Sequence, residues 1–436
     1  MAEGPEVDPF DPDKRNGSEY FENIPPEILN SICSHLTLPQ VIQLRRVSKS
    51  LYKLANTYIA NKYELDLTSH PMGDYNQRMR RSFHIDNILA RHIFTPPNRW
   101  SSLRVLRMRG SESNLTTEAL NIISRNISTL EDCFLSIYHI TNTAFREFVK
   151  SNRNLVRLKL QITYGRLTLG SLNCLFRNLD KLKYLMFQWH CFDFYFNGID
   201  FSTNLAEKVD RLFKKKPNLF FLSLKTHKEI TDILDPILQH LFSSTLVVAV
   251  FHHMPTIPMP KLKQIIVDEI PPNPPQNFWD NYPSLYSLIF DASYCQKPEI
   301  DKDIFKLPNC PITDLSLRHC RLTDLSTLRN LRSLDLRDSC TSSEEMVAET
   351  ILNNPNITRL SIAGICFTTP RLMRLIGKTL TKIHFLDLTE NRNVETDAIM
   401  AFAEAHFRYG VKSETPVIIL AASMFQVLCQ TNFMLM

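Results

Sequence analysis

Apolar residues recur along most of this chain in a six-residue unit, apolar-x-x-apolar-x-apolar. The unit is found at Leu103-Leu106-Met108, Leu130-Cys133-Leu135, Leu155-Leu158-Leu160, Leu182-Leu185-Phe187, Leu219-Leu222-Leu224 and Leu246-Ala249-Phe251. It continues at Leu262-Ile265-Val267, Leu285-Leu288-Phe290, Ile312-Leu315-Leu317, Leu331-Leu334-Leu336, Ile357-Leu360-Ile362 and Ile383-Leu386-Leu388. Successive first residues are 27, 25, 27, 37, 27, 16, 23, 27, 19, 26 and 26 positions apart. The last two apolar positions of each unit lie two residues apart and so on one side of a strand, with the residues flanking them on the other. Units at this spacing predict a repeat array in which a rung buries its apolar side against its neighbours. Thr, Asn and Asp able to cap helices fall between rungs, at Leu115–Leu120, Ile140–Asn142, Ile230–Asp232 and Val394–Asp397. Lys62–Leu67 also alternates and predicts an irregular first rung. One helix is expected near Ile85–Ile93.

Two steps depart from the period. The 37-residue step carries Trp189, His190, Cys191, Phe192, Phe194, Tyr195, Phe196 and Phe201. It reads either as a longer helix connection with extra core or as a loop lending aromatic surface to a ligand. The 16-residue step carries Pro255, Pro258 and Pro260, and the next unit carries Pro271, Pro272, Pro274 and Pro275. Proline at that density predicts extended chain rather than helix on the convex side there.

Ahead of the array the period changes. Pro25 and Pro26 suit a first helical turn, and Glu27 suits the positive end of its dipole. Ile28, Leu29, Ile32, Cys33 and Leu36 then form a helical stripe. Thr37-Leu38-Pro39 is a second start signal. Val41, Leu44, Val47, Leu51 and Leu54 follow by threes and fours, with Ser48 either breaking that run or lying within it. A unit this small buries little core alone, so it reads as a cap on a larger domain or as a module that completes its core on a partner.

Ile24-Pro25-Pro26-Glu27-Ile28-Leu29, with Leu44-Arg45-Arg46-Val47-Ser48-Lys49-Ser50-Leu51-Tyr52-Lys53-Leu54-Ala55, resembles an F-box. It departs from that pattern at Ser48, where Cys is common, and at Leu51, where Trp is common. The resemblance implies binding to the Skp adaptor of an SCF-type cullin–RING ubiquitin ligase. Ile24, Pro25, Ile28, Ile32, Leu36, Leu44 and Val47 are then the adaptor-facing or module-core positions. Leu317-Arg318-His319-Cys320 and Leu388-Thr389-Glu390-Asn391 place Cys or Asn where the turning backbone is bonded. This resembles the leucine-rich repeats that follow F-boxes in one branch of that family. The implied fold is α/β: a disordered tail at 1–20, a three-helix F-box module at 21–66, a cap at 67–100 and a curved solenoid over 101–436. Parallel strands would line its concave face, and helices or extended chain its convex face.

On the concave face the early rungs read as basic, with Arg107, Arg109, Arg157 and Lys159. The middle rungs read as apolar, with Tyr184, Met186, Phe221, Val248, Val250, Ile266 and Ile289 facing solvent beside Lys225. The late rungs are mixed and acidic. An apolar patch flanked by charge suits a protein partner, unless the chain's own loops or C-terminus cover it. These residues are the expected target site, the basic ones for an acidic or phosphorylated element.

Composition narrows the rest. The chain has 436 residues and a net charge of +5, too mild to imply nucleic acid. The basic rungs also lack the interleaved aromatics that stack bases. Ten cysteines form no C-x-x-C pair, and no apolar leader precedes the module, so reduced thiols in the cytosol or nucleus are expected. Thr415–Met436 carries no charge. A closing strand and helix is expected there, with a membrane tail as the alternative. No catalytic motif, cofactor or metal site is expected. Gly377-Lys378-Thr379 lacks the leading glycine of a phosphate loop. His252 and His253, adjacent on a strand, are expected on opposite faces, one in the wall and one in the core.

Overall fold

The structure, a computed structural model, describes residues 25–36, 38–44, 47, 49–60, 63–67, 86–94, 100–108, 115–165, 167–189, 205–225, 228–270, 274–292, 304–322, 325–341, 343–365, 368–391, 396–409 and 417–419. The chain divides into two compact units, 1–218 and 219–436. The expected tail at 1–20, Ile24, Arg109, the aromatic stretch after Trp189, and the residues after Ile419 lie outside the described residues.

The first unit opens with three helices, α1 (Pro26–His35), α2 (Leu38–Leu44) and α3 (Lys49–Ala60). Pro26 occupies the first turn of α1, where its missing N–H costs nothing, and Glu27 sits at the positive end. The apolar run after Thr37 is broken between Leu44 and Lys49 rather than continuous. Helix α3 packs on both others. Cys33, Val41, Leu51 and Ala55 are buried as the module's core.

The rungs follow. They are β1 (Glu64–Asp66), α4 (Asn87–Phe94), β2 (Val105–Met108), α5 (Thr117–Asn126), β3 (Asp132–Ile140), α6 (Asn142–Ser151), β4 (Arg157–Gly165), α7 (Leu169–Asn178), β5 (Tyr184–Trp189) and α8 (Leu205–Leu212). The strands pair in parallel and in chain order. Their register aligns Leu65, Leu106, Cys133, Leu158 and Leu185, so the central apolar residue of every rung stacks on the next. Each of these is at most 2% exposed. Parallel strands need a crossover between them, and the caps start those crossovers where expected. Thr116 accepts from Glu118 N–H, and Thr141 accepts from Ala144 N–H.

The second unit continues the pattern. It contains β6 (Phe221–Lys225), α9 (Lys228–Phe242), β7 (Val248–His253), β8 (Gln264–Glu269), β9 (Ser287–Asp291), β10 (Asp314–Arg318), β11 (Arg321–Leu322), β12 (Ser333–Asp335), β13 (Cys340–Thr341), α10 (Glu344–Asn353), β14 (Arg359–Ser361), α11 (Pro370–Thr379), β15 (Phe385–Asp387), α12 (Thr396–Tyr409) and β16 (Val417–Ile419). The parallel order β6-β7-β8-β9-β10-β12-β14-β15-β16 aligns Leu222, Ala249, Ile265, Leu288, Leu315, Leu334, Leu360, Leu386 and Ile418. Strands β11 and β13 form a separate two-stranded ribbon.

Among the described residues the proline-rich steps carry no α-helix, as expected, but the second is not wholly extended. A 3-10 turn at Phe278–Asn281 plugs Phe278, Trp279 and Tyr282 into the core. Trp279 Nε1 donates to Ile304 O at 3.0 Å, and Tyr282 donates to Pro255 O. Three packed aromatic rings there do the sealing that a helix does elsewhere.

Late rungs turn through left-handed backbone at one repeated position. His319, Asp338, Gly364 and Glu390 have φ of 53°, 55°, 71° and 61°. At two of these turns the next residue bonds a backbone carbonyl of the preceding rung. Ser339 Oγ donates to Leu317 O at 2.6 Å, and Asn391 Nδ2 donates to Ile362 O at 2.8 Å. Cys320 holds the same place, with Sγ 3.4 Å from Ser339 Oγ.

Candidate functional site

The N-terminal helices offer one surface. Ile28 and Ile32 lie one turn apart on α1 and are 53% and 41% exposed. Val47, in the turn after α2, is 43% exposed. Pro25 is exposed, and Leu36 and Leu44 are half-buried. The buried positions are others, so Pro25, Ile28, Ile32 and Val47 lie on the outside of the module, with Leu36 and Leu44 partly covered. Ile28, Ile32 and Val47 are thus three exposed β-branched side chains on a small module, left uncovered by the described residues.

The early concave face differs from expectation. Arg107 is not a free cation: it pairs with Glu64, lies 3.3 Å from Asp132 and 3.7 Å from Asp66. Burial works against its charge, but Glu64, Asp132 and Asp66 outweigh it and hold its pKa above the ordinary arginine value. Arg157 reaches Asp132 at 4.0 Å and lies over the Tyr184 ring at 4.9 Å. Lys159 lies over the Phe134 ring at 4.3 Å. The register causes this. It sets Glu64, Val105, Asp132, Arg157 and Tyr184 in one row, with Asp66, Arg107, Phe134, Lys159 and Met186 beside it. Three carboxylates thus face three cations among the described residues of these two rows, and the face is balanced rather than basic.

In the second unit Phe221, Val248, Ile266 and Ile289 are half-buried on the concave side, and Lys225 is exposed. Tyr184 and Met186 of the first unit are likewise half-buried. Val250 corrects the expected pattern. At 7% exposure it is buried, because the register seats it between Ser223, itself 0% exposed, and Ile266. Further along, Asp335 accepts from Ser316 at 3.1 Å and from Arg318 at 2.9 Å. Asp387 accepts from Ser361 at 3.2 Å and from Arg337 at 2.8 Å. Burial raises the Asp387 carboxyl, but the Thr389 N–H and hydroxyl and the Arg337 guanidinium outweigh it and hold its pKa below the usual value. The late face is therefore polar, with Asp335 and Asp387 paired within it, and the apolar middle is the part that gains most from burial against a partner.

His252 and His253 do not point to opposite faces. Their rings pack edge to face, with centroids 4.5 Å apart, and both are half-buried. Successive N–H groups of a regular strand diverge. Here one oxygen of Asp235 accepts both, from His252 N–H at 2.8 Å and from His253 N–H at 3.2 Å, so the strand has already begun to turn. Helix α9 starts at Lys228, ahead of the expected cap at Thr231, and this brings Asp232 to within 2.6 Å of His253 Nε2. Aligning the rungs would have placed Asp268-Glu269 beside this pair, and that signal was present in the sequence.

Residues 21–60 match the family model described as F-box-like. No curated protein matches the chain. Among solved structures, the crystal structure of PEPR1–AtPEP1 is similar at 15% identity and a TM-score of 0.28, covering 71% of this chain but only 43% of that one. The leucine-rich repeat-containing protein LegL7 from Legionella pneumophila is similar at 12% identity and a TM-score of 0.29, covering 82% of this chain and 89% of that one. At these scores neither likeness bears on what this chain binds. Among the described residues no helix is long and apolar enough to cross a membrane. The chain thus carries an F-box-like domain at residues 21–60 and, after it, parallel strands that stack rung on rung within each unit, with one turn geometry repeated in the late rungs, an architecture consistent with an F-box followed by leucine-rich repeats.

Proposed function

We propose that this chain is the substrate-recognition subunit of an SCF-type ubiquitin ligase. The F-box-like helices dock on the Skp adaptor, and through it on a cullin–RING core. The repeats hold the protein to be ubiquitinated, and the chain does no chemistry itself. Its contribution is effective concentration, because a tethered target meets the ubiquitin-carrying enzyme as an intramolecular neighbour. The observation that carries this reading is the exposure of Ile28, Ile32 and Val47 on a module whose described core is Cys33, Val41, Leu51 and Ala55. On the repeat side, the half-buried row of Phe221, Val248, Ile266 and Ile289 supports apolar anchoring of the target. Arg157 and Lys159 would then contribute cation–π and local charge contacts rather than a basic cradle.

The test is co-purification of the full chain with adaptor and cullin, against I28D/I32D. Burying one such side chain contributes about 1.5–3 kcal/mol, so losing two weakens adaptor binding by at least about a hundredfold. The intact chain should recover adaptor and cullin. The variant should lose both and keep its repeat-bound proteins and its melting temperature. Equal adaptor binding by the variant would overturn the docking surface. Adaptor recovered without cullin would make the chain a scaffold outside the ligase.

A further inference from the structure

Two imidazoles and four carboxyl groups converge where α9 meets the ends of β7 and β8. His253 Nε2 lies 2.6 Å from Asp232 Oδ1, and His253 Nδ1 lies 3.3 Å from Glu269 Oε2. His252 Nδ1 lies 3.1 Å from Asp268 Oδ2. Its Nε2 is 3.5 Å from Glu269 Oε1, fully buried, and without a hydrogen-bond partner. Asp235 Oδ1 is likewise buried without a partner. One donor atom from each of Asp232, His252 and His253 lies within 4.8 Å of the other two.

Protein hydrogen bonds leave this cluster incomplete. A buried ring nitrogen lacking a partner is costly. Four carboxyl groups, from Asp232, Asp235, Asp268 and Glu269, also crowd two rings that carry at most one positive charge each. A divalent cation answers both problems. The arrangement around the rings is the one metal sites use: a carboxylate on Nδ1 fixes the tautomer and leaves Nε2 as the ligand. Asp268 stands so to His252, and Glu269 to His253.

We propose that Asp232, His252 and His253 form a divalent transition-metal site, with His252 and His253 ligating through Nε2 and Asp268 and Glu269 orienting the rings. Imidazole and carboxylate donors suit Zn²⁺ or Co²⁺. Three protein ligands leave a position for water. Ligand bonds of about 2.0–2.2 Å set donor atoms roughly 3.3 Å apart in a tetrahedron. The Asp232–His253 contact therefore has to widen by less than an ångström, which rotation of the half-exposed Asp232 side chain allows. The ion clasps α9 to two strand ends beside the apolar row, and it stands whether or not the chain serves a ubiquitin ligase.

The test uses the full chain, stripped with chelator and titrated with Zn²⁺ and with Co²⁺. Because the chain has ten cysteines, the Co²⁺ absorption spectrum separates nitrogen–oxygen ligation from thiolate ligation. One equivalent should bind without a thiolate charge-transfer band. D232N and H253Q should each weaken it more than tenfold, and D268N by roughly ten- to a hundredfold. Failure to bind, a thiolate band, or affinity unchanged in D232N and H253Q would overturn the site. Should those variants fail to fold, Co²⁺-shifted imidazole proton resonances in the intact chain decide: their presence supports the site, and their absence overturns it.

Discussion

Asp387 is 3% exposed and yet held in its charged form by Thr389, Arg337 and Ser361. A carboxylate whose folded pKa is depressed contributes stability above its unfolded pKa, near 3.9 for Asp. That contribution is lost as pH falls through the folded value. D387N should therefore cost about 1–3 kcal/mol at neutral pH, and the gap to the intact chain should shrink as pH drops below about 4. Urea midpoints at pH 7 and pH 3 check this; an equal gap at both would show that the charge is not what matters. At this scale the sequence was half legible. Alternation told that Val250 leaves the main core, but the depth of a concave position depends on its flanking rungs, Ser223 and Ile266. Arg107 was legible as a cation and not as a paired one. Its partners Glu64 and Asp66 sit on an irregular first rung about forty residues away, brought near only by register.

The same gap between local pattern and register governs the elements. Gly377, in the run Gly377-Lys378-Thr379, is there for packing rather than for phosphate. A Cβ at that position would lie 2.5 Å from Phe402 O and 3.1 Å from Ala405 Cβ, so the residue lets α11 and α12 approach. G377A gains helix propensity of roughly 0.8–1 kcal/mol. Separating the helices costs more, since overpacking of this kind is worth about 1–3 kcal/mol. The melting temperature should fall, and an unchanged or raised one would mean the helices part freely. Local signals found what they encode. The caps at Thr116 and Thr141 start α5 and α6, and among the described residues no α-helix connects β7 to β8 or β8 to β9, where the prolines cluster. They did not reveal the turn at Phe278–Asn281, whose stability comes from rings buried against distant chain. Nor did they reveal that His252 and His253 share a side, because that follows from a carboxylate donated by α9.

For the molecule as a whole, balanced charge decides what kind of partner the repeats select. Net charge is +5 over 436 residues, and the described cations of the early rungs are held by carboxylates or rest on aromatic faces. A face reading phosphates would release counterions on binding, and six to ten such contacts would lose about 10³–10⁵ in affinity between 50 and 200 mM salt. A target anchored on Phe221, Val248, Ile266 and Ile289 gains instead from burial, which salt of that strength barely alters. The affinity of any protein recovered on the repeats should therefore change by less than roughly threefold over that range. Replacing Ile266 with Asp should weaken it by about tenfold or more, since one buried isoleucine contributes about 1.5–3 kcal/mol. R107E, by contrast, should act through folding, because it sets a fourth carboxylate beside Glu64, Asp66 and Asp132 and lowers the melting temperature before it touches a partner. Titrations at the two salt concentrations, run on the intact chain and on I266D, separate the cases. A steep salt slope with I266D unaffected would move recognition off the apolar row and onto charges freed from their present pairs.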